Sequence, residues 1–286
     1  MLSLSEPPAL APENRETRRT EDPIWERLKN EAERGLHGEP ILAPFCYSIL
    51  EAPSLEHALV NRLSSTLSHV SLPAPQLASV LLEAARACTS IGGAVRADMI
   101  AAVERDPACS RVLEPFLFFK GFAAIQTHRL AHWLWGNGKK DAALYLQSRS
   151  SEVFHTDIHP AAQFGKGILL DHAMGFVAGE TVVVEDNVSI LHGVTLGGSG
   201  VGRGDRHPKV RSGVLIGAGA QILGGIEIGA FSKIAAGSLV TQSVPPHCTA
   251  VGVPARIIEG AGSANPAKSM DQKLAEGTYE SFDYVI

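Results

Sequence analysis

Two different spacings of hydrophobic residues divide this chain. From Asp22 to about Glu152, apolar positions recur three and four residues apart, the period of a helix with one buried face. Asp22-Pro23 reads as an N-cap followed by proline at the first helical position, and Gly35 is the expected stop. Ile24, Trp25, Leu28 and Ala32 then share one face. Further helical segments are predicted over 54–67, 75–89, 93–105, 115–135 and 139–153, the fourth closed by Gly136-Asn137-Gly138. Residues 1–20 carry three prolines and little periodicity, and are expected to be flexible.

The second half changes to a period of six. Ile158, Phe164, Leu170, Phe176, Val182, Val188 and Val194 follow one another at that interval, and Val210, Ile216, Ile222, Ile228, Ile234 and Val240 resume it. A small residue often stands beside the aliphatic one. Such hexads are the signature of a parallel β-helix, in which each repeat supplies a short strand and a turn. Three hexads close one triangular coil of about 18 residues, and the aliphatic side chains stack inward, ~4.8 Å from rung to rung. The predicted plan is a flexible segment 1–20, an all-helical domain 21–152, a parallel β-helix 153–260 and a flexible tail 261–286.

The six-residue period breaks between Val194 and Val210. The segment Thr195–Lys209 holds five glycines, three basic residues, His207 and Asp205. A solenoid has no structural need for so long an excursion, which costs conformational entropy to order. Loops carried on a rigid scaffold tend to hold function, so an active-site loop is the expectation.

Composition narrows the function by exclusion. The 286 residues have a net charge of −5 and a pI near 6.1, without the basic footprint of a nucleic-acid binder. No apolar run approaches the ~20 residues of a membrane span, and the first twenty residues lack the apolar centre of a signal peptide. Cys46, Cys88, Cys109 and Cys248 are scattered without a C-x-x-C pair, which predicts neither a zinc site nor a disulfide framework. A cytoplasmic protein without a metal is expected.

Of eleven histidines, only His155, His159, His172, His192 and His207 lie in or beside the coil. His172 stands in Leu170-Asp171-His172-Ala173, and Asp157 precedes it by slightly less than one coil. That separation places the two near one corner on adjacent rungs. A carboxylate holding an imidazole's tautomer leaves the second ring nitrogen free to act as a general base. Two exposed polar turn residues remain the alternative on spacing alone.

The second half resembles the serine acetyltransferases of cysteine biosynthesis. The likeness runs through Asp157-Ile-His-Pro-Ala-Ala162, Leu170-Asp-His-Ala173, Val194-Thr-Leu-Gly-Gly198, Gly204-Asp-Arg-His-Pro-Lys209 and Gly252-Val-Pro-Ala-Arg256. It extends into the helical half at Arg105-Asp-Pro107, Lys120-Gly-Phe122 and His132-Trp-Leu-Trp135. The resemblance implies an α+β chain with a left-handed parallel β-helix, and transfer of an acetyl group from acetyl-CoA to L-serine without an acyl-enzyme.

Residue by residue, the resemblance makes His172 the general base and Asp157 its orienting carboxylate. Asp98 and Asp171 would hold the substrate ammonium, Arg206 its carboxylate, and His207 would complete the pocket. Gly198, Ser199, Ala218 and Ala236 match backbone contacts to acetyl-CoA, and Lys233 a phosphate contact. Family members pack as trimers or dimers of trimers, are inhibited by L-cysteine, and bind O-acetylserine sulfhydrylase through a C-terminal isoleucine, here Ile286. Three rivals stand beside this reading: a hexapeptide acetyltransferase for sugars or xenobiotics, a γ-class carbonic anhydrase, and a non-catalytic scaffold. The long helical half and Asp98 oppose the first. The second needs a closely spaced H-x₄-H pair, whereas His172, His192 and His207 stand far apart and His155 and His159 form H-x₃-H. Asp157 and His172, both present, oppose the third.

Overall fold

A computed structural model describes residues 22–200, 202–259 and 263–274. The segment 1–20 and Ile286 lie outside the described residues. Helices α1 (Pro23–Gly38), α2 (Ala43–Leu50), α3 (Leu55–Leu67), α4 (Ala74–Ala87), α5 (Thr89–Arg105), α6 (Leu113–Phe118), α7 (Lys120–Gly136) and α8 (Lys140–Phe154) make up the first half. Asp22 caps α1 as expected, its Oδ1 accepting from the Trp25 amide at 3.2 Å. Gly35 does not end the helix. A Cβ there would lie 3.4 Å from Cys46 Sγ, so the small residue serves close packing against α2.

The predicted helix over 115–135 is two helices. Phe119 takes an extended conformation (φ −85°, ψ 107°) between α6 and α7. This break brings the start of α7 against the first coil, where Gly121 abuts the carbonyl of Leu170.

The second half winds as a parallel β-helix. Strands β1 (Thr156–Ile158), β2 (Gln163–Phe164) and β3 (Leu169–Leu170) form the first coil, and β4 (Phe176–Ala178), β5 (Val183–Val184) and β6 (Ser189–Ile190) the second. The third holds β7 (Thr195–Gly197), β8 (Lys209–Val210) and β9 (Leu215–Ile216), and the fourth β10 (Gln221–Leu223), β11 (Glu227–Ile228) and β12 (Lys233–Ile234). Strands β13 (Leu239–Val240), β14 (Thr249–Val251) and β15 (Arg256–Ile258) close the stack. The three faces are the sheets β1-β4-β7-β10-β13, β2-β5-β8-β11 and β3-β6-β9-β12-β14-β15, with only the β14–β15 pairing antiparallel.

The register corrects one expectation. Ile216 pairs with Ile234, three hexads on, but Leu170 pairs with Ile190, three hexads and two further positions on. The first coil is therefore two residues longer than the repeat. Because Val177 pairs with Thr195, the extra pair falls in the turn between β3 and β4, residues 171–175. The inward strand series steps from Leu170 to Ala178, Val184, Ile190 and Leu196, while Phe176 opens β4 and Val182, Val188 and Val194 each stand just before a strand. Both series are buried, so the six-residue period runs through the bulge without showing it.

The two halves join through buried polar contacts. Asp98 on α5 forms an ion pair of 2.7 Å with Arg129 on α7, whose Nη2 also donates to the Gly165 carbonyl at 2.7 Å. The Ile168 amide donates to Asp98 Oδ1 at 2.8 Å. These bonds hold the chain just before β3.

Part of the expected flexible tail is packed. The short helix α9 (Pro266–Ser269) lies against the six-stranded face, where Ser189 Oγ donates to the Ala267 carbonyl at 2.8 Å.

His128, buried beside Phe164 with ring centroids 5.0 Å apart, sets a pH dependence of stability. Burial drives its pKa well below the ordinary imidazole value, and His132 and Arg129 add to the effect. Burial lowers His159 and His207 as well. The folded chain binds these protons less readily than the unfolded one. Stability is thus full above about pH 6.5 and is lost as pH falls through the depressed folded values. Thermal scans are expected to show Tm declining from pH 7 to pH 5, with a shallower decline in His128→Gln; equal slopes would refute the assignment.

Candidate active site

The two extra residues widen the turn after β3, Asp171-His172-Ala173-Met174-Gly175, which exposes His172 and Met174 while Ala173 stays in the coil core. His172 and Ala173 take positive φ of 55° and 63°. Left-handed backbone in non-glycine residues is costly and concentrates at functional sites. The His172 side chain is 64% exposed, whereas Asp171 is half-buried, and His172 Nε2 lies 3.6 Å from Asp171 Oδ2. That distance is electrostatic contact rather than a hydrogen bond.

The helical half covers this corner. Asp106 ends α5, and the α6–α7 break delivers Phe118, Phe119, Lys120 and Gly121. Together with Asp171, His172 and Met174 they enclose a cavity of about 170 Å³. This is well below the ~300–1,000 Å³ of pockets for drug-sized ligands, and suits a molecule of a few heavy atoms. Burial raises the pKa of Asp171 against the opposing pull of His172, and the field of Asp106 raises it further. Two acids facing one space stabilise a cation between them.

Asp106 was missed in favour of Asp98. The structure overturns the Asp98 assignment: it is 2% exposed, and its Oδ2 accepts from Gln126 Nε2 at 2.9 Å and from Arg129, its Oδ1 from Ile168. Buried against Arg129 and bonded on both oxygens, this carboxylate does not face the cavity. The usable signal was Pro107, which ends α5 one residue after Asp106 and so places that carboxylate at a helix end.

Other expected residues lie elsewhere. Asp157 Oδ1 accepts from Gln147 Nε2 at 2.6 Å, and the expected bond to His172 is not formed in the single chain. Arg206 and His207 flank the glycine-rich loop on the opposite edge of the five-stranded face, between β7 and β8. Arg206 forms an ion pair of 2.9 Å with Glu180. His207 is buried, its Nδ1 2.8 Å from Thr181 Oγ1. Gly198 sits next to these two, and Ser199 is exposed beside it. Ala218 and Ala236 stack on the same corner as His172, with the Gly237 amide donating to the Ala218 carbonyl at 2.8 Å.

Lys233 requires a second correction. It is 5% exposed on the six-stranded face, and its Nζ donates to the Lys273 carbonyl at 2.7 Å, which removes it from any phosphate. Among the described residues, no group of three or more His, Cys, Asp or Glu is placed to hold a metal ion.

Gly121 positions the whole corner. A methyl group there would overlap the Leu170 carbonyl oxygen, one residue before Asp171, and touch Ala173 Cβ at 3.2 Å. Gly121→Ala is expected to destabilise the chain by ~1–3 kcal/mol through overpacking. Gly93→Ala, in α5 with nothing within 4 Å of the added carbon, is expected to stabilise by ~0.5–1 kcal/mol. Urea denaturation of the two variants checks the opposite signs.

Comparison with known proteins places the chain among enzymes of one kind. Residues 24–127 match the family model described as serine acetyltransferase, N-terminal, and residues 207–242 match that of the bacterial transferase hexapeptide. A serine acetyltransferase of Salmonella typhimurium is 47% identical over 262 residues, 91% of this chain and 96% of the relative. The crystal structure of a Brucella abortus serine acetyltransferase in complex with coenzyme A superposes with a TM-score of 0.83 at 56% identity, covering 85% of this chain and 98% of that one. A serine acetyltransferase in complex with cysteine gives a TM-score of 0.86 at 48% identity, covering 88% and 98%.

Proposed function

The chain belongs to the serine acetyltransferase family, and from that premise we propose which of its residues carry the reaction. It transfers the acetyl group of acetyl-CoA to the hydroxyl of L-serine, yielding O-acetyl-L-serine and coenzyme A. The observation that carries the residue assignment is the small cavity that sets an exposed imidazole, His172, beside two carboxylates, Asp171 and Asp106. The carboxylates hold the serine ammonium. His172 takes the proton from the serine hydroxyl as its oxygen attacks the thioester carbonyl. The tetrahedral intermediate then collapses, the C–S bond breaks, and the thiolate leaves as a thiol. No Ser or Cys lines the cavity, which favours direct transfer over an acyl-enzyme.

Asp157 orients the base once the imidazole turns from Asp171. Gln147 occupies Asp157 Oδ1, leaving Oδ2 for His172. Val177, which pairs with Asp157, follows His172 by five residues, so the two groups share one end of the coil.

The serine carboxylate falls to Arg206 and His207 of a neighbouring copy, because the five-stranded face separates these residues from His172 within one chain. A trimer pairs each His172 corner with the next chain's glycine-rich loop, and Gly198 and Ser199 reach acetyl-CoA from that side. The helical half extends this to a dimer of trimers. L-Cysteine, nearly isosteric with serine, competes for the same cavity. The cytoplasm is the compartment, and no helix among the described residues is long and apolar enough to cross a membrane. Ile286, outside the described residues, docks O-acetylserine sulfhydrylase.

A thiol-release assay tests the assignment: acetyl-CoA turnover is expected only when L-serine is added, and turnover indifferent to serine would overturn it. Mixing tests the shared site. His172→Ala and Arg206→Ala are each expected to be nearly inactive alone. Co-assembled in equal amounts they regain roughly a quarter of full activity, because random pairing restores about one site in four. Arg206 acting within its own chain predicts no recovery.

A further inference from the structure

One imidazole near the cavity has no part in the reaction as described so far. His192 is exposed on the second coil's closing turn, directly above the bulge that carries His172. The two rings are edge-to-face with centroids 5.8 Å apart.

Backbone bonds place His192 on a definite ladder. The Gly193 amide donates to the Met174 carbonyl at 2.8 Å, the Gly219 amide to the His192 carbonyl at 2.9 Å, and the Gly237 amide to the Ala218 carbonyl at 2.8 Å. Met174, His192, Ala218 and Ala236 therefore occupy one corner on successive coils. The glycine that follows each keeps that corner thin: a Cβ on Gly193 would sit 3.4 Å from the Gly219 Cα. Ala218 is half-buried and Ala236 exposed, with short side chains that leave the backbone open. The family resemblance matches Ala218 and Ala236 to acetyl-CoA contacts, so we take this column as the track of the coenzyme, with the serine cavity at its Met174 end. The thioester must stand where the two meet. Of the four residues in this column, His192 alone carries an ionisable side chain.

We infer that His192 is a further catalytic residue, the proton donor to the coenzyme A sulfur as the thioester breaks. When the tetrahedral intermediate collapses, the C–S electron pair goes to sulfur, and the protonated His192 delivers its ring proton there to give the thiol. His192 is left neutral. The proton that His172 took from serine passes to solvent, and solvent returns one to His192. The net transfer is one proton from the serine hydroxyl to the sulfur. The division suits the geometry, because His172 faces the acceptor's carboxylates whereas His192 stands on the coenzyme side. A general acid at a leaving group contributes on the order of 10²-fold or more.

The inference rests on the placement of acetyl-CoA along Ala218 and Ala236, and one experiment separates the two. Wild type, His192→Ala and His192→Gln are assayed for kcat, for KM of serine, and for inhibition by coenzyme A against desulfo-coenzyme A, which lacks the sulfur. Both variants are expected to lose ~10²-fold in kcat with the serine KM within about two-fold of wild type. Wild type is expected to bind coenzyme A more tightly than the desulfo compound. His192→Ala loses that preference, and His192→Gln, which retains a hydrogen-bond donor, keeps part of it. A kcat within about two-fold of wild type in both variants, or an unchanged preference for the sulfur-bearing ligand, overturns the role of His192. A wild type without serine-dependent turnover overturns the underlying reading instead.

Discussion

Removing the His172 imidazole is expected to lower kcat for acetyl transfer by ~10²–10⁴-fold, the range general-base catalysis contributes. A serine hydroxyl is almost wholly protonated near neutral pH, so the attack needs a group to accept its proton. Within the cavity only His172 combines exposure with an imidazole, the side chain whose charge changes near neutrality. Asp171 and Asp106 are the groups proposed to hold the substrate cation. The loss should appear in kcat rather than in the serine KM, because the ring meets the hydroxyl and not the charged groups. His172→Ala should also fold normally: the side chain is 64% exposed, so its removal opens no cavity. His172→Asn is a useful companion, since Asn tolerates the positive φ of 55° better than most residues. Steady-state kinetics with matched Tm values decides the matter, and a variant within about ten-fold of wild type would remove His172 from the chemistry.

The second large effect separates two aspartates on and just after one helix. Asp106→Asn is expected to cost ~10²-fold in kcat/KM for serine, equivalent to ~2–3 kcal/mol of charged hydrogen bonding, with Tm unchanged. Asn retains the local turn, because its Oδ1 can still accept from the Ala108 amide as Asp106 does at 2.8 Å. Only the charge goes. The same substitution also removes one influence that raises the Asp171 pKa, so Asp171 ionises at lower pH in the variant.

Asp98→Asn behaves in the opposite way. It leaves the Arg129 guanidinium buried without its counter-ion, at an expected ~3–5 kcal/mol of stability. Any loss of activity there follows from loosening of the chain at Gly165–Ile168. Urea denaturation beside serine titrations distinguishes the two. A stable Asp98→Asn with a raised serine KM would return that residue to the substrate.

The helical spacing, the hexads and the glycine-rich loop were legible in the chain because each is a local repeat or a break in one. Helix caps obey the same logic, and Asp22 sits where its side chain predicts. The motif around His172 was picked out through its family resemblance, while spacing alone left two exposed polar turn residues as the alternative. The two-residue bulge could not. Two buried aliphatic series in the coil, offset by two residues, let the six-residue period pass unbroken from Leu170 to Phe176 while the strand register changed.

Asp98 and Asp106 show the same limit in the helical half. Both are acids of one segment, and the motif match favoured Asp98 although Pro107 marks Asp106 as the acid at a helix end. Only the packing of α5 between α7 and the first coil buries one against Arg129 and leaves the other at the cavity. Lys233 is decided likewise, by residues 263–274 folding back over the six-stranded face.

By itself, then, the sequence determined the two architectures and, through its family motifs, pointed to His172 as the candidate base, because these depend on periodicity and on contiguous motifs. The tertiary structure alone decided which carboxylates meet that imidazole, and that Arg206 and His207 stand on the far edge of a face from it. Such proximities arise between residues distant in the chain. They depend on coil length, helix breaks and burial, none of which a local pattern encodes.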